Sequence, residues 1–357
     1  MYNRNYIFDG HKLIYHLDRV AQYLKEKDCF PLYMEISPVG RCNHRCIFCA
    51  YDFIGYPDRK LETEIFLKFI DDSAHDGIRS LLYAGEGEPL LHPDIDQFIT
   101  HSKKRGIDVG LYTNGQLLTK ELSEKILPSL TFMRISFNGG IEENYSIIHR
   151  VNPSIFHRVL HHIETAVMIK KEKKLDLDIG IQYVLLPENI NYVTSAVKSL
   201  KERGVDYFVI KPFIQQSSFQ HYQMKEHFQL KSIDVVLKEA ENFSNEDFKV
   251  IARRDSFDHY GIRRYKNCLG SSFITVLNSA GELASCLPYW DKEEFVFGNI
   301  YEKRLKEIWC GERRRRVKEY LERDLDTHQC PPNCRPHAIN EFLWEVTHPS
   351  VRHINFI

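Results

Sequence analysis

Seven of the nine cysteines in this chain fall into two groups that could hold metal. Cys42, Cys46 and Cys49 share the short stretch Cys42-Asn43-His44-Arg45-Cys46-Ile47-Phe48-Cys49, and Cys268, Cys286, Cys330 and Cys334 lie near the other end. Thiols clustered this way in a chain whose N-terminus shows no secretory apolar region point to metal ligation rather than disulfides. The first group suits an iron–sulfur cubane, because three protein thiolates leave one of four irons open to another ligand. Zinc is the alternative, but a structural zinc site closes with four protein ligands. His44, inside the loop between two cysteines, reads as poorly placed to be the fourth. The second group suits either a closed zinc site or a fully ligated cluster, and spacing does not separate the two. Cys29 and Cys310 belong to neither group.

These residues must be positioned by the elements around them. Short β-type runs alternate with helix-length amphipathic runs, which predicts strands at Leu32–Ile36, Ser80–Ala84, Ile107–Tyr112, Phe132–Phe137, Asp178–Leu186 and Tyr207–Lys211. Six βα units in series predict an α/β fold with a parallel sheet, either open or a partial (β/α)6 barrel, with its chemistry at the C-terminal strand ends. Polar turns stand at those ends: Gly85-Glu86-Gly87-Glu88-Pro89, Thr113-Asn114-Gly115, Ser136-Phe137-Asn138 and Lys211-Pro212. Phe273–Ser285 reads as a hairpin turning at Asn278–Gly281, with cysteines near both ends. The expected division is an N-terminal helical segment (1–30), the barrel (31–225), a connection (226–266), a small α+β cysteine module (267–340) and a tail (341–357). Arg313–Arg316 point round most of a helix, so they cannot meet one ligand, and a solvated helix face is expected.

Composition narrows the function classes. With 43% hydrophobic and 27% charged residues the chain can build a core, which excludes a disordered protein. Lys+Arg number 48 against 49 Asp+Glu, so no overall field draws the chain to nucleic acid or an anionic membrane. No apolar run approaches membrane-helix length, and a cytoplasmic protein is expected.

The spacing C-x3-C-x-aromatic-C at Cys42, Cys46 and Cys49 resembles the signature of the radical S-adenosylmethionine (radical SAM) enzymes. That resemblance implies a [4Fe–4S] cluster on these cysteines, with SAM bound at the open iron and cleaved on reduction to a 5′-deoxyadenosyl radical. It also implies cofactor contacts from Phe48, Gly87, Glu88, Pro89, Thr113, Asn114, Ser136 and Asn138, with Phe48 near the adenine and Glu88 on the SAM ammonium. The Gly-Glu-Gly-Glu-Pro turn departs from the family's Gly-Gly-Glu-Pro by placing Glu86 at the first Gly, so Glu86 could share that role or contact substrate. The pattern C-x12-G-x4-C with a distal pair is similar to the SPASM/twitch extension of the same enzymes, and four cysteines fit one auxiliary [4Fe–4S] cluster.

The resemblance implies an oxidoreductase or epimerase that abstracts a hydrogen atom from a small polar substrate: a sugar, aminocyclitol or nucleotide-sugar. A flavodoxin or ferredoxin would donate electrons, with no nucleic-acid or membrane partner. Only 41 residues precede Cys42, which reads as too little for a peptide-recognition domain. Lys211 and Glu86 are candidate substrate contacts, and Cys29 or Cys310 would be the hydrogen-atom donor of an epimerase. A peptide maturase or sulfatase activator is the alternative enzyme, and a non-catalytic iron–sulfur or zinc module the alternative of another class.

Overall fold

The computed structural model describes residue 6 and residues 10–214, 222, 230–289 and 292–356. Each predicted strand forms within a residue or two of its expected bounds: β1 (Tyr33–Ile36), β2 (Ser80–Tyr83), β3 (Asp108–Thr113), β4 (Phe132–Ser136), β5 (Asp178–Leu185) and β6 (Tyr207–Pro212). They pair in parallel in chain order. Helices α1 (Leu17–Glu26) and α2 (Thr63–Asp76) flank β1. Between the next strands run α3 (Ile95–Lys104), α4 (Lys120–Ile126), α5 (Glu142–His149), α6 (Ser154–Glu172) and α7 (Val193–Glu202). Of the stretch 226–266, read from sequence as a connection, only residues 226–229 lie outside the described residues.

The sheet is wider than six strands. Past α8 (Leu230–Glu241), β7 (Lys249–Ala252) adds in parallel to β6. β7 was not among the strands expected from sequence. On the other side, β8 (Ile274–Leu277) lies parallel to β1, followed antiparallel by β9 (Glu282–Ala284) and β10 (Val296–Asn299). The expected hairpin therefore forms as an extension of the barrel sheet, in the order β10-β9-β8-β1-β2-β3-β4-β5-β6-β7. The chain closes through α9 (Arg254–Asp258), α10 (Leu305–Trp309), α11 (Glu312–Arg323) and α12 (His337–Thr347).

The two faces of the sheet differ in chemistry, as a two-residue period requires. Met34, Ile36, Leu81, Leu111, Met133, Ile135, Ile181 and Ile210 pack against Phe66, Phe98, Ile163 and Val197 of the helices. Alternate positions, Tyr33, Glu35, Tyr112, Arg134, Gln182, Tyr207 and Lys211, line a cavity on the inner face. A closed barrel fills this space with branched apolar layers, whereas this open one fills it with polar groups. Gly180 makes room for one of them: a Cβ there would fall 2.0 Å from the ring of its register partner Tyr207. The ring thus crosses β5, and its hydroxyl accepts from Arg134 Nε at 3.2 Å.

Buried charges tie the C-terminal third to the barrel. The Glu86 carboxylate, 2% exposed, accepts from the Ser279 backbone N–H at 3.0 Å, from the Ser279 hydroxyl and from Arg59 Nη2 at 3.1 Å. Arg335 donates to Glu35 at 2.5 Å, and Arg304 Nε to Asp72 at 3.0 Å. Arg314 corrects the expectation of a solvated run: it is 2% exposed, pairs with Asp28 and lies 4.0 Å over the Trp309 ring. Its neighbours Arg313 and Arg316 splay to the Val296 carbonyl and to Glu312.

Removing the Glu86 carboxylate leaves the Ser279 N–H without its acceptor and takes from Arg59 one of two, the other being the Ser279 hydroxyl. Glu86→Ala is expected to lower unfolding stability by roughly 2–3 kcal/mol, the scale of a lost buried charge-assisted hydrogen bond. Chemical denaturation checks this, and a midpoint equal to wild type would mean that strand pairing alone holds the seam.

Candidate active site: two cysteine groups on one cavity

A cavity of 750 Å³ opens over the C-terminal strand ends, and both cysteine groups face it. Cys42, Cys46 and Cys49 form one wall, and Cys286 and Cys334 part of another. The first cysteine loop follows β1 and rests on the Gly85–Glu88 turn, where the Glu88 N–H donates to the Arg41 carbonyl at 2.9 Å. Gly87 permits this contact, since a Cβ there would lie 2.3 Å from the Val39 carbonyl oxygen and 2.4 Å from that of Arg41. Gly85, at φ +99°, packs as closely on Ser37. Gly87 thus brings backbone to backbone and Gly85 packs on Ser37, and both line the cavity.

Glu88 is buried and held from three sides: Thr113 Oγ1 donates at 2.6 Å, the Asn114 N–H at 2.7 Å and the Leu90 N–H at 3.1 Å. Burial nonetheless raises its pKa to about 7, against the opposing pull of these hydrogen bonds. Asn114 Nδ2 donates to Asn43 Oδ1 at 2.7 Å, which links the third strand end to the cysteine loop. Phe48, Gly87, Pro89, Thr113, Asn114 and Ser136 line the cavity with Glu88. Asn138 is instead buried behind it, donating to Ser136 Oγ at 3.0 Å and accepting from the Val184 N–H at 2.6 Å. Glu86 is turned to the Ser279 seam and is not among the lining residues, so the structure does not bring it to substrate or to the face Glu88 presents.

The remaining candidates divide in the same way. Lys211 lines the cavity. Cys29 is buried in an apolar cluster with Val20, Tyr23 and Phe273, its thiol donating to the Ser272 carbonyl at 3.3 Å. Cys310 is exposed at the C-terminus of α10. Neither lines the cavity, so the structure does not place either thiol where it could return a hydrogen atom to a substrate.

Two buried histidines support the first cysteine group. The Asn138 N–H donates to His149 Nε2 at 3.1 Å, so the neutral ring carries its proton on Nδ1, which lies 3.2 Å from Cys46 Sγ. Burial holds the His149 pKa well below its usual value. His44 is also buried and sits closer to Cys46 than the sequence reading allowed. Among the described residues, His44, Cys46 and His149 form the one trio of ligand-type side chains with ligand atoms all within 4.8 Å of one another. The sulfurs of both cysteine groups are spread more widely than that. Four thiolates on one zinc at 2.3 Å stand about 3.8 Å apart, so the spread fits a larger, polynuclear group. Sequence spacing gave no sign of His149, which lies about a hundred positions from the cysteines it approaches.

In the second group, Cys286 follows β9 while Cys330 and Cys334 precede α12. Burial first, then the neighbouring sulfurs, push up the thiol pKa values, to about 12 at Cys268 and about 11 at Cys330. Metal binding would displace these protons. Arg263 donates to the Cys330 carbonyl at 2.9 Å and fixes that loop, and Asn340 Nδ2 lies 3.7 Å from Cys268 Sγ.

Comparison with known proteins agrees with this arrangement. Residues 36–200 match the radical SAM superfamily, and residues 268–336 match the SPASM family, described as an iron–sulfur cluster-binding domain. The chain is 24% identical over 308 residues to the tungsten-containing aldehyde ferredoxin oxidoreductase cofactor-modifying protein of Pyrococcus furiosus, covering 79% of this chain and 81% of that one. It is 26% identical over 289 residues to the AdoMet-dependent heme synthase of Methanosarcina barkeri, covering 75% and 79%. In fold it is similar to Streptococcus suis SuiB bound to S-adenosylmethionine, with a TM-score of 0.65 at 18% identity over 84% of this chain and 70% of that one. Among the described residues no helix is long and apolar enough to cross a membrane. With both matched regions contributing cysteines to one cavity, the chain carries a radical SAM domain over residues 36–200 and a C-terminal SPASM domain over residues 268–336, and its cofactors are [4Fe–4S] clusters and SAM.

Proposed function

We propose that this chain takes a hydrogen atom from a small polar substrate, of the sugar, aminocyclitol or nucleotide-sugar class, and that the outcome is oxidation of a carbinol. The observation that carries this reading is the single 750 Å³ cavity onto which both cysteine groups open. When bound, the cluster on Cys42, Cys46 and Cys49 supplies with SAM a hydrogen-abstracting radical, and a cluster on Cys268, Cys286, Cys330 and Cys334 supplies an electron acceptor. The protein's part is to hold, orient and exclude water.

Glu88 Oε1 and Oε2, fixed by Thr113 and Asn114, are the acceptors for the SAM ammonium. Ser136 and Asn114 offer hydrogen bonds beside it, and Phe48 an apolar wall. His149 holds its Nδ1 proton toward Cys46 Sγ and steadies that ligand. Among the described residues, the lining cysteines all belong to the two metal-binding groups, so no further thiol faces the cavity to return a hydrogen atom. This favours oxidation over epimerisation. The two curated relatives above are named for modifying a cofactor and for synthesising heme, which supports a small-molecule substrate over a peptide.

Anaerobic reconstitution with iron and sulfide tests the reading. About eight irons per chain are expected, with 5′-deoxyadenosine released from SAM under reductant. Cys42→Ala should abolish that release, whereas Cys286→Ala should retain it and carry fewer irons. Release that survives Cys42→Ala would overturn the proposal.

A second test follows from Glu88, which must be ionised to pair with an ammonium. With its pKa raised to about 7, SAM affinity of the cluster-loaded protein should rise between about pH 5.5 and 7.5 as the carboxyl ionises. Glu88→Gln should flatten that profile and weaken binding roughly tenfold or more. An equally steep profile in the variant would assign the dependence to another group.

A further inference from the structure

The floor of the cavity collects four cations from distant parts of the chain. Arg134 stands on β4 and Lys211 on β6, Arg253 follows β7, and Arg335 follows Cys334. The sheet register sets their proximity. The Arg253 N–H donates to the Ile210 carbonyl at 2.9 Å, which places it beside Lys211. Arg134 is held by two phenols, donating to Tyr112 Oη at 2.5 Å and Tyr207 Oη at 3.2 Å. Burial raises the Tyr207 pKa to about 12, so its ring stays uncharged.

Of the four carboxylates on the same cavity, Glu35 meets one of these cations. Glu35 accepts from Arg335 at 2.5 Å and from Tyr33 Oη at 3.1 Å. Glu88 lies on the SAM-facing wall within its three hydrogen bonds. Asp178 accepts from Tyr6 Oη at 3.0 Å, and Asp255 pairs with His259 at 2.7 Å. Half-buried Lys211 has no hydrogen-bond or ion-pair partner among the described residues. Burial first, then Arg253, Arg335 and Arg134, lower its pKa to about 7, with Glu35 as the opposing influence. Three guanidinium groups and one carboxylate thus bear on Lys211, and an ammonium without a partner in a cavity raises the free energy until a counter-charge meets it.

We propose that this floor binds an oxyanion of the substrate, a carboxylate or a phosphate, with Lys211 at its centre and Arg134, Arg253 and Arg335 around it. The inference rests on the function proposed above only in calling the bound molecule a substrate. Within the small polar class it selects phosphorylated or carboxylated molecules, nucleotide-sugars included. It selects against aminocyclitols, whose ammonium groups would meet like charge.

Calorimetric titration of the full chain, loaded with clusters and SAM, tests the assignment with pyrophosphate and propane-1,2,3-tricarboxylate as probes and myo-inositol as the neutral comparison. At least one anion should bind, and the tighter of the two identifies the source as phosphate or carboxylate. Lys211→Met should weaken that binding about 10- to 100-fold, and Lys211→Arg should restore most of it. Arg253→Gln should weaken it about tenfold. Iron content and circular dichroism equal to wild type establish that the variants are folded. Binding of neither anion, inositol binding as tightly as both, or an affinity unchanged by Lys211→Met would overturn the inference. Iron count and 5′-deoxyadenosine release in the same preparations separate the two readings. Deoxyadenosine without anion binding leaves the proposed function standing and removes this inference; Lys211-dependent anion binding without deoxyadenosine does the reverse.

Discussion

Strand β1 has a hydrogen-bonded neighbour on each side, and the site depends on that double pairing. On one side the Ala84 N–H donates to the Ile36 carbonyl at 2.9 Å; on the other the Ser37 N–H donates to the Leu277 carbonyl at 2.8 Å. The cysteine loop leaves the C-terminal end of β1, the Glu88 turn leaves that of β2, and the turn into β9 leaves that of β8. Three functional loops therefore issue from adjacent strands spaced about 4.8 Å apart. Two modules joined by a flexible linker would be free to move against one another, whereas a shared sheet fixes the distance between their cysteine groups.

Strand pairing sets spacing, but it does not by itself set register against slippage. Here polar contacts of large sequence separation do so: Asp28 with Arg314, Glu35 with Arg335, Asp72 with Arg304, and Glu86 with Ser279. Each joins the first hundred residues to the last eighty. A desolvated ion pair adds little net stability over an apolar pair of similar volume, but it is directional where apolar packing is not. Glu86 shows the point. As a departure from the family's Gly-Gly-Glu-Pro turn it invites a reading as a second ligand-binding carboxylate, yet its geometry fastens the β8–β9 turn beside Glu88.

What could be read from sequence followed the range of each interaction. The six central strands were visible because parallel strands covered on both faces carry runs such as Leu81-Leu82-Tyr83 and Ile179 through Leu186. The cysteine groups and polar strand-end turns were visible because their spacing is local. β8 was read as a hairpin strand, but nothing local showed that its other edge would meet β1 more than two hundred residues earlier. Arg314 looked solvated because Asp28 and Trp309 are not within its own run of arginines. His149 and the cations at Arg134, Arg253 and Arg335 are single residues from separate elements, assembled by topology alone. Glu35 did leave a trace, a carboxylate between Met34 and Ile36 in an otherwise apolar strand.

The two ends of the cavity meet a common electrostatic problem in opposite ways. Burial lifts the Glu88 pKa to about 7, while burial and surrounding guanidinium groups bring Lys211 down to about 7. Before ligands arrive, each group can shed part of its charge near neutral pH and so avoid part of the cost of a desolvated ion. An ammonium at Glu88 favours the carboxylate and releases a proton; an oxyanion at Lys211 favours the ammonium and takes one up. Proton exchange at one end offsets that at the other, so the fully loaded site can hold two complementary charge pairs with little net change in bound protons.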